Sequence, residues 1–220
     1  NFTGGTVQSN RSEQVIDYDY GGQIYSAGGG ICANNGSTIH MSGDAKVLKN
    51  MAHEIGGGIS IGSNQLSDGI NILYMFGGII DGNEAGASGG GIFIQTGYST
   101  GKKSVAHISA GQITNNQMNG QGDTQMAFGG GGIYVNGFRN SQNGELYLAN
   151  TVITNNSAAK IFLDEELEKQ ASDGGGYAAC PISKTVIHVT DGVAIYKNDA
   201  QIQGKDLYIL GKAKYDLHGG

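Results

Sequence analysis

Apolar residues recur at alternate positions in five short runs, each of which follows three consecutive glycines. The first and third residues of these runs are apolar in every copy, whereas the middle residue varies in chemistry. This period of two predicts β-strands whose first and third side chains face a core and whose middle side chain faces outward. The runs are Ile31-Cys32-Ala33, Ile59-Ser60-Ile61, Ile92-Phe93-Ile94, Ile133-Tyr134-Val135 and Tyr177-Ala178-Ala179.

A second alternating run follows in each repeat and predicts a second strand. Its expected inward-facing pairs are Ile39/Met41, Ile72/Tyr74, Ala106/Ile108, Leu146/Leu148 and Ile187/Val189. A third run carries an aliphatic residue followed three positions later by asparagine. Three short strands per repeat, stacked repeat on repeat, predict a parallel β-helix, because one coil buries its apolar face only against the next.

The glycines and asparagines set the repeat. The last glycines of successive triplets are 28, 33, 41 and 44 residues apart. We expect the glycines at a corner that needs positive φ or close backbone approach. We expect the asparagines at another corner, where the amide bonds to the turn and to the asparagine of the next coil. The structural repeat residues are therefore Gly30, Gly58, Gly91, Gly132, Gly176, Asn50, Asn83, Asn116, Asn156 and Asn198.

Three segments depart from the repeat. Residues 1–20 are expected to cap the first coil, because the end of a stacked array exposes unpaired strand edges. Residues 204–218 are expected to form a terminal coil. A helical flap is predicted over 157–173, since Ala159, Leu163, Leu167 and Ala171 recur every four positions. We expect residues 1–220 to form a single all-β domain of about six coils with this one short helical insertion.

Composition narrows the classes of partner. Forty glycines with one proline and no three-residue period exclude collagen. A net charge of −6 with two arginines argues against nucleic acid. No apolar run is long enough for a transmembrane helix, so we expect no membrane insertion by this segment. The chain opens inside ordinary sequence without a secretion signal, so we expect a fragment of a longer surface protein.

The two cysteines follow the first and the fifth glycine triplet. Four coils at about 4.8 Å each place them roughly 19 Å apart. A disulfide needs Cα atoms within about 7 Å. The sequence therefore predicts two unpaired thiols, Cys32 and Cys180.

The side chains that could carry chemistry are scattered. His40, His107 and His188 are expected on the outer face of alternate coils, about 9.6 Å apart, with Leu73 and Tyr147 between them. That separation is too large for one zinc ion, so we expect no metal and no cofactor. Asp44, Asp81 and Asp191 have no acidic neighbour at the spacing of about 5–9.5 Å that glycosidases use. We therefore expect no enzyme activity, and keep a polysaccharide-active lyase or hydrolase as the alternative.

Exposed aromatic residues supply the candidate binding site. Phe93 and Tyr134 are expected to stack outside the core on adjacent coils, with Tyr98 and Phe138 in the loops just after them. Such a group flanked by loops predicts a binding patch for protein or glycan. In the alternative, loops 97–103 and 136–144 or the helical flap fold over these rings and bury them.

The alternation of Gly-Gly-x-Ile, with Tyr177 for Ile in the fifth copy, and an aliphatic-x-x-Asn motif, from Gly28 to Asn198, resembles the repeats of the polymorphic outer membrane protein family. It also resembles bacterial adhesin-like right-handed parallel β-helix proteins in general. The chain differs from the family in having a third glycine for the usual alanine, and Ile or Val for the usual Phe before Asn. The resemblance implies a right-handed β-helix in a secreted or surface-displayed bacterial protein that attaches to a host surface protein or glycan. A purely structural spacer is a further alternative.

Overall fold

A computed structural model of the protein describes residues 1–13, 15–17, 22–24, 26–62, 69–95, 103–122, 129–138, 142–159, 173–180, 185–208 and 214–217. Across these residues the chain is all-β, with twenty-six strands and no helix.

The strands are short, and only two of them reach ten residues. In chain order they are β1 Thr6–Gln8, β2 Arg11–Ser12, β3 Val15–Asp17, β4 Gly22–Ile24, β5 Ile31–Ala33, β6 Thr38–Met41, β7 Lys46–Leu48, β8 Met51–Ala52, β9 Ile59–Ile61, β10 Ile72–Asp81, β11 Glu84–Ala85, β12 Ile92–Ile94, β13 Val105–Thr114, β14 Gln117–Met118, β15 Ile133–Val135, β16 Gly137–Phe138, β17 Gln142–Asn143, β18 Glu145–Leu148, β19 Thr151–Thr154, β20 Ser157–Ala158, β21 Tyr177–Ala179, β22 Val186–Val189, β23 Ala194–Tyr196, β24 Asp199–Ala200, β25 Leu207–Tyr208 and β26 Lys214–Leu217.

Strands from successive repeats lie side by side in four rows. The glycine row is β5-β9-β12-β15-β21-β25, and the short-strand row is β2-β8-β11-β14-β20-β24. The remaining row members form one ten-stranded sheet, in which the long strands β10 and β13 each contribute to two rows. The asparagine row is β1-β7-β10-β13-β19-β23, and the aromatic row is β6-β10-β13-β18-β22-β26.

Pairing within the rows is parallel and in register with the repeat. Ile92 pairs with Ile59 on one side and with Ile133 on the other. Antiparallel pairing among the described strands is confined to the two hairpins β3–β4 and β16–β17, outside the rows. The prediction of parallel strands stacked repeat on repeat is thus confirmed, and six strands per row are consistent with a parallel β-helix.

The main core lies between the glycine, asparagine and aromatic rows. The first and third residues of the glycine-row strands, such as Ile92 and Ile94, face it as predicted. One predicted pair is out of phase: Leu73 and Met75 are fully buried, while Ile72 and Tyr74 are half-buried on the other side of β10. The prediction that Tyr74 faces the core is therefore wrong.

The repeated asparagines form a continuous hydrogen-bonded ladder inside the fold. The backbone N–H and the Nδ2 amide of Asn83 both donate to Oδ1 of Asn116, each at 2.9 Å. Asn116 donates in the same way to Asn156, again at 2.9 Å. The amide of Asn116 also donates to the carbonyl of Ile80 in the preceding repeat at 3.0 Å. Each ladder asparagine therefore ties three repeats together.

The ladder extends beyond the predicted asparagines at both ends. Asn10 donates to Asn50 at the first step. At the last step Asn198 donates its backbone and side-chain N–H groups to Oδ1 of Asp206, at 3.0 and 2.9 Å. A carboxylate only accepts hydrogen bonds, so Asp206 completes this rung without donating to another residue.

The residue before each ladder asparagine makes the corner. Its φ is positive, between 50° and 63°, in all six repeats. Such values are uncommon outside glycine, except for residues such as asparagine. The corner residues are Ser9, Lys49, Gly82, Asn115, Asn155 and Lys197.

The glycine triplets make room for the ladder and for the neighbouring backbone. Gly130 has φ +73°, while a Cβ on Gly131 would lie 2.2 Å from the carbonyl oxygen of Ser157. A Cβ on Gly132 would lie 2.5 Å from the carbonyl oxygen of Gly176 and 3.1 Å from the amide of Asn156. Carbon atoms do not approach this closely without displacement, so the corner predicted from Gly30, Gly58, Gly91, Gly132 and Gly176 is one of close approach.

The segments expected outside the repeat are described in part. β1 and β2, within residues 1–20, are the first members of the asparagine and short-strand rows. β25 and β26, within 204–218, are the last members of their rows. The helical flap predicted over 157–173 lies mostly at 160–172, outside the described residues, and its first two residues belong to strand β20 instead.

Replacing Asn116 with alanine is expected to lower the free energy of unfolding by at least about 2 kcal/mol. Both N–H donors of Asn83 would lose their acceptor in a fully buried site, and a buried unsatisfied group costs about 1–3 kcal/mol. Chemical denaturation measures the effect. Gln117→Ala, the exposed carboxamide beside it, is the matched control and should stay within about 0.5 kcal/mol. Equal destabilisation of the two variants would contradict the role of the ladder.

Thiol reactivity tests the separation of the two cysteines, neither of which forms a disulfide. Cys32 is accessible, although desolvation raises the pKa of its thiol and slows its reaction near neutral pH. Cys180 is 2% exposed and donates to the carbonyl of Gly137 at 3.2 Å. A thiol reagent should titrate one cysteine in the native protein and two in denaturant, and Cys32→Ser should abolish the native reaction. Finding no thiol in denaturant would refute the arrangement.

Candidate binding surface

The middle residues of four glycine-row strands, β9, β12, β15 and β21, lie inside the protein, whereas Cys32 of β5 is exposed. Ser60, Phe93, Tyr134 and Ala178 are all between 0% and 1% exposed. The Phe93 and Tyr134 rings are stacked, with centroids 5.6 Å apart. Burial also raises the pKa of Tyr134 well above its ordinary value, with a further contribution from the neighbouring Cys180 thiol. The prediction that Phe93 and Tyr134 form an exposed binding patch is therefore wrong.

A fourth strand in each repeat covers this face. The two-residue strands of the short-strand row and the residues just after them pack on the middle positions and form a second core. Its members are Ile55, Ala87, Phe93, Met118, Tyr134, Ala158, Ala178, Cys180 and Ala200. One small or apolar residue recurs two to five positions after each ladder asparagine, and this recurrence is the sequence signal that could have indicated the fourth strand.

The other two predicted binding residues lie wholly or partly outside the described residues. Tyr98 lies outside the described residues. The backbone of Phe138 belongs to strand β16, which pairs with β17 in an antiparallel hairpin, and its side chain lies outside what the structure describes. The predicted four-residue patch therefore loses at least the two rings of Phe93 and Tyr134, which are buried.

The outer face of the aromatic row carries a different column of rings, which we call the aromatic ladder. Parallel pairing places one ring in each of the first five repeats at the same position of the strand. Successive ring centroids are 5.1, 5.2, 4.6 and 4.3 Å apart, and the planes are within 23° of parallel. The rings are His40, Tyr74, His107, Tyr147 and His188.

The strand geometry explains the stacking. Neighbouring parallel strands are about 4.8 Å apart, close to the separation at which flat rings make face-to-face contact. The histidines lie outside the core as predicted, but Tyr74 and not Leu73 separates His40 from His107. The faces of the inner rings are occupied by one another, so the ladder presents ring edges, imidazole nitrogens and phenol oxygens along its length.

Charged residues border the middle of the aromatic ladder. Lys103 is paired with Glu145, and the hydroxyl of Tyr147 donates to Oε2 of Glu145 at 3.1 Å. Desolvation raises the pKa of Tyr147, and the bond to Glu145 adds to the effect. Desolvation lowers the pKa of His107, which the Glu145 charge partly opposes.

A shallow groove follows the ladder on its other side. A cavity of about 130 Å³ lies between the rings of His107, Tyr147 and His188 and the small residues Ser109, Ala149 and Thr190. The Phe76 ring, two residues along β10 from Tyr74, is 55% exposed, and its centroid lies 6.1 Å from that of the Tyr74 ring, parallel to it. The ladder and groove form one accessible strip of apolar surface edged by hydrogen-bonding atoms.

In the part of the chain that is described, no three side chains among His, Cys, Asp and Glu come together as a metal would require. No helix there is long and apolar enough to span a bilayer.

Truncating Phe93 should destabilise the protein rather than weaken binding. Phe93→Ala is expected to lower the free energy of unfolding by about 3–5 kcal/mol, because a fully buried ring leaves a cavity. Phe76→Ala removes the same ring from an exposed position and should change stability by less than about 0.5 kcal/mol. Thermal and urea unfolding of both variants make the comparison. A stable Phe93→Ala protein would reopen the exposed-patch hypothesis.

Comparisons with protein-family models, with curated proteins and with solved structures find no match for this chain.

Proposed function

We propose that the chain is a right-handed parallel β-helix that serves as a non-enzymatic, adhesin-like segment of a bacterial secreted or surface protein. In this proposal it acts outside the cell and attaches to a host glycan. The binding surface is the aromatic ladder with its groove, in place of the Phe93 and Tyr134 patch.

The five stacked rings on an exposed sheet face are the observation that carries this proposal. A solvent-exposed face needs only small or charged residues to stay soluble, and a contiguous apolar strip more often marks an interaction site. Tyrosine and histidine combine an apolar ring with a polar edge, which suits a contact that is partly dry and partly hydrogen-bonded.

The regular spacing favours a glycan over a folded protein. The ladder repeats one ring edge and its polar atom every 4.3–5.2 Å along a straight line. A linear polymer of similar units meets such a row many times in the same way, whereas the surface of a folded protein without repeats has no such period. The continuous asparagine ladder supports the proposed role as a rigid attachment segment. Because hydrogen bonds join every repeat to the next, the stack holds the binding surface in a fixed shape.

Binding of glycans and of purified host surface proteins to the wild-type protein tests the proposal. Tyr74→Ala/Tyr147→Ala should weaken glycan binding by tenfold or more, because truncating a central aromatic contact typically costs more than about 1 kcal/mol. Tyr196→Ala is the matched control: Tyr196 is 44% exposed in the asparagine row, away from the ladder. Melting temperatures of all three proteins show whether a loss reflects unfolding.

Other outcomes separate the competing functions. Binding to a purified host protein but to no glycan would support the adhesin function with a protein, and not a glycan, as its ligand. Binding that survives in the double tyrosine variant would refute the ladder as the site. If the protein binds neither glycans nor host proteins, the structural spacer is the remaining function.

A further inference from the structure

Three of the five histidines of this chain occupy the first, third and fifth positions of the aromatic ladder. Two strand spacings separate successive histidines, which is about 9.6 Å. His40 is exposed, and His107 and His188 are half-buried. The ladder is therefore a straight row in which an ionisable group alternates with a neutral phenol.

The groups that face each histidine are mostly uncharged. His40 stacks on Tyr74, and its carbonyl accepts from the N–H of Phe2 in the segment that begins at Asn1. His107 lies between Tyr74 and Tyr147. The nearest charges to it are Glu145 and the Lys103 ammonium that Glu145 pairs with.

The last histidine has one acidic partner by register. His188 stacks on Tyr147 at 4.3 Å, and Asp216 of β26 is its Cα partner on the other side. The small residues beside the row, Ser109, Ala149 and Thr190, carry no charge. Of the side chains that the structure describes along the groove, the histidines are thus the ones able to become positive there.

Protonation changes the ladder without dismantling it. An imidazolium between two tyrosine faces gains a cation–π attraction, and its N–H groups remain at the exposed ring edge. An imidazole ordinarily takes up its proton near pH 6.5. Desolvation lowers the pKa of His107, so its charge arrives at more acidic pH. In their protonated form, the three imidazoles place positive charges about 9.6 Å apart on a chain that carries a net charge of −6 near neutrality.

We propose that the aromatic ladder binds an acidic polysaccharide, with a carboxylate or sulfate on about every second unit, in mildly acidic surroundings and releases it near neutral pH. This rests on the proposed glycan-binding function and adds the charge class of the ligand and the condition for binding. The repulsion between a polyanion and an acidic protein opposes binding at neutral pH, and three ion pairs on the ladder offset it at acidic pH.

Surface plasmon resonance with immobilised wild-type protein tests this inference. The probes are polygalacturonate oligomers, which carry carboxylates, dextran sulfate oligomers, which carry sulfates, and unmodified dextran oligomers. An acidic probe should bind roughly tenfold more tightly at about pH 5 than at about pH 7.5, because each exposed ion pair contributes a factor of about two to five. Added salt should weaken the acidic complex by screening. The acidic probe that shows this behaviour identifies the anionic group.

A triple variant, His40→Gln/His107→Gln/His188→Gln, should bind the acidic probes equally at the two pH values. His53→Gln, which removes a histidine outside the ladder, is the matched control and should keep the pH dependence. Circular dichroism at both pH values checks that the triple variant is folded. If it is not, the pH and salt dependence of the wild-type protein decides alone.

The outcomes distinguish the two proposals. Binding of acidic and neutral oligomers with equal affinity at both pH values, lost in Tyr74→Ala/Tyr147→Ala, would overturn the charge inference and leave the glycan-binding function standing. A pH dependence retained in the folded triple variant would also overturn the inference. No binding of any oligomer at either pH would overturn it together with the glycan as ligand class.

Discussion

The buried asparagine ladder is the constraint on which the other features depend. Each carboxamide accepts two N–H groups from one neighbouring repeat and donates to the next repeat and to a carbonyl of the preceding one. The ladder asparagines from Asn50 to Asn198 are at most 5% exposed, so a rung among them that loses register leaves several buried polar groups without partners. The ladder therefore fixes the register of all four rows. It also dictates the third glycine of each triplet, because a side chain there would collide with the amide of the next repeat.

Features that this constraint imposes could be predicted from the sequence. Glycine and asparagine recur at fixed positions in the sequence, so the two corners could be predicted. The apolar first and third residues of the glycine-row strands predicted which side of these strands faces the core. Two features could not be predicted in this way. Strands of the short-strand row have only two residues each, which is too short to show an alternation of apolar and polar residues. The sequence therefore did not predict that this row covers Phe93 and Tyr134. The run Ile72 to Phe76 is apolar throughout, so alternation does not decide its phase, and a shift of one residue exchanges the two faces.

The phase of strand β10 also decides whether the aromatic ladder can be recognised in the sequence. With Tyr74 placed inside, the three histidines look like isolated residues of a solvated face; with Tyr74 outside, they become members of one stacked column. The asparagine ladder inside the fold and the aromatic ladder on its surface then have different roles. The asparagines repeat identically because they hold the repeats together, while His and Tyr alternate at a position where the fold requires only that a ring stack on its neighbours.

The last repeat treats its glycine corner differently. Gly204 keeps the positive φ of the first glycine, but Lys205 and Asp206 take the second and third places. In the earlier repeats a Cβ at those places would strike the backbone and the asparagine of the repeat above. Here the Asp206 carboxylate fills the position of that asparagine, and Lys205 folds onto Asp199 at 2.8 Å. An open edge of parallel strands is ordinarily a template on which further strands assemble into fibres. Because the side chains of Lys205 and Asp206 occupy places where the earlier repeats need glycine, an identical repeat cannot stack directly on this corner.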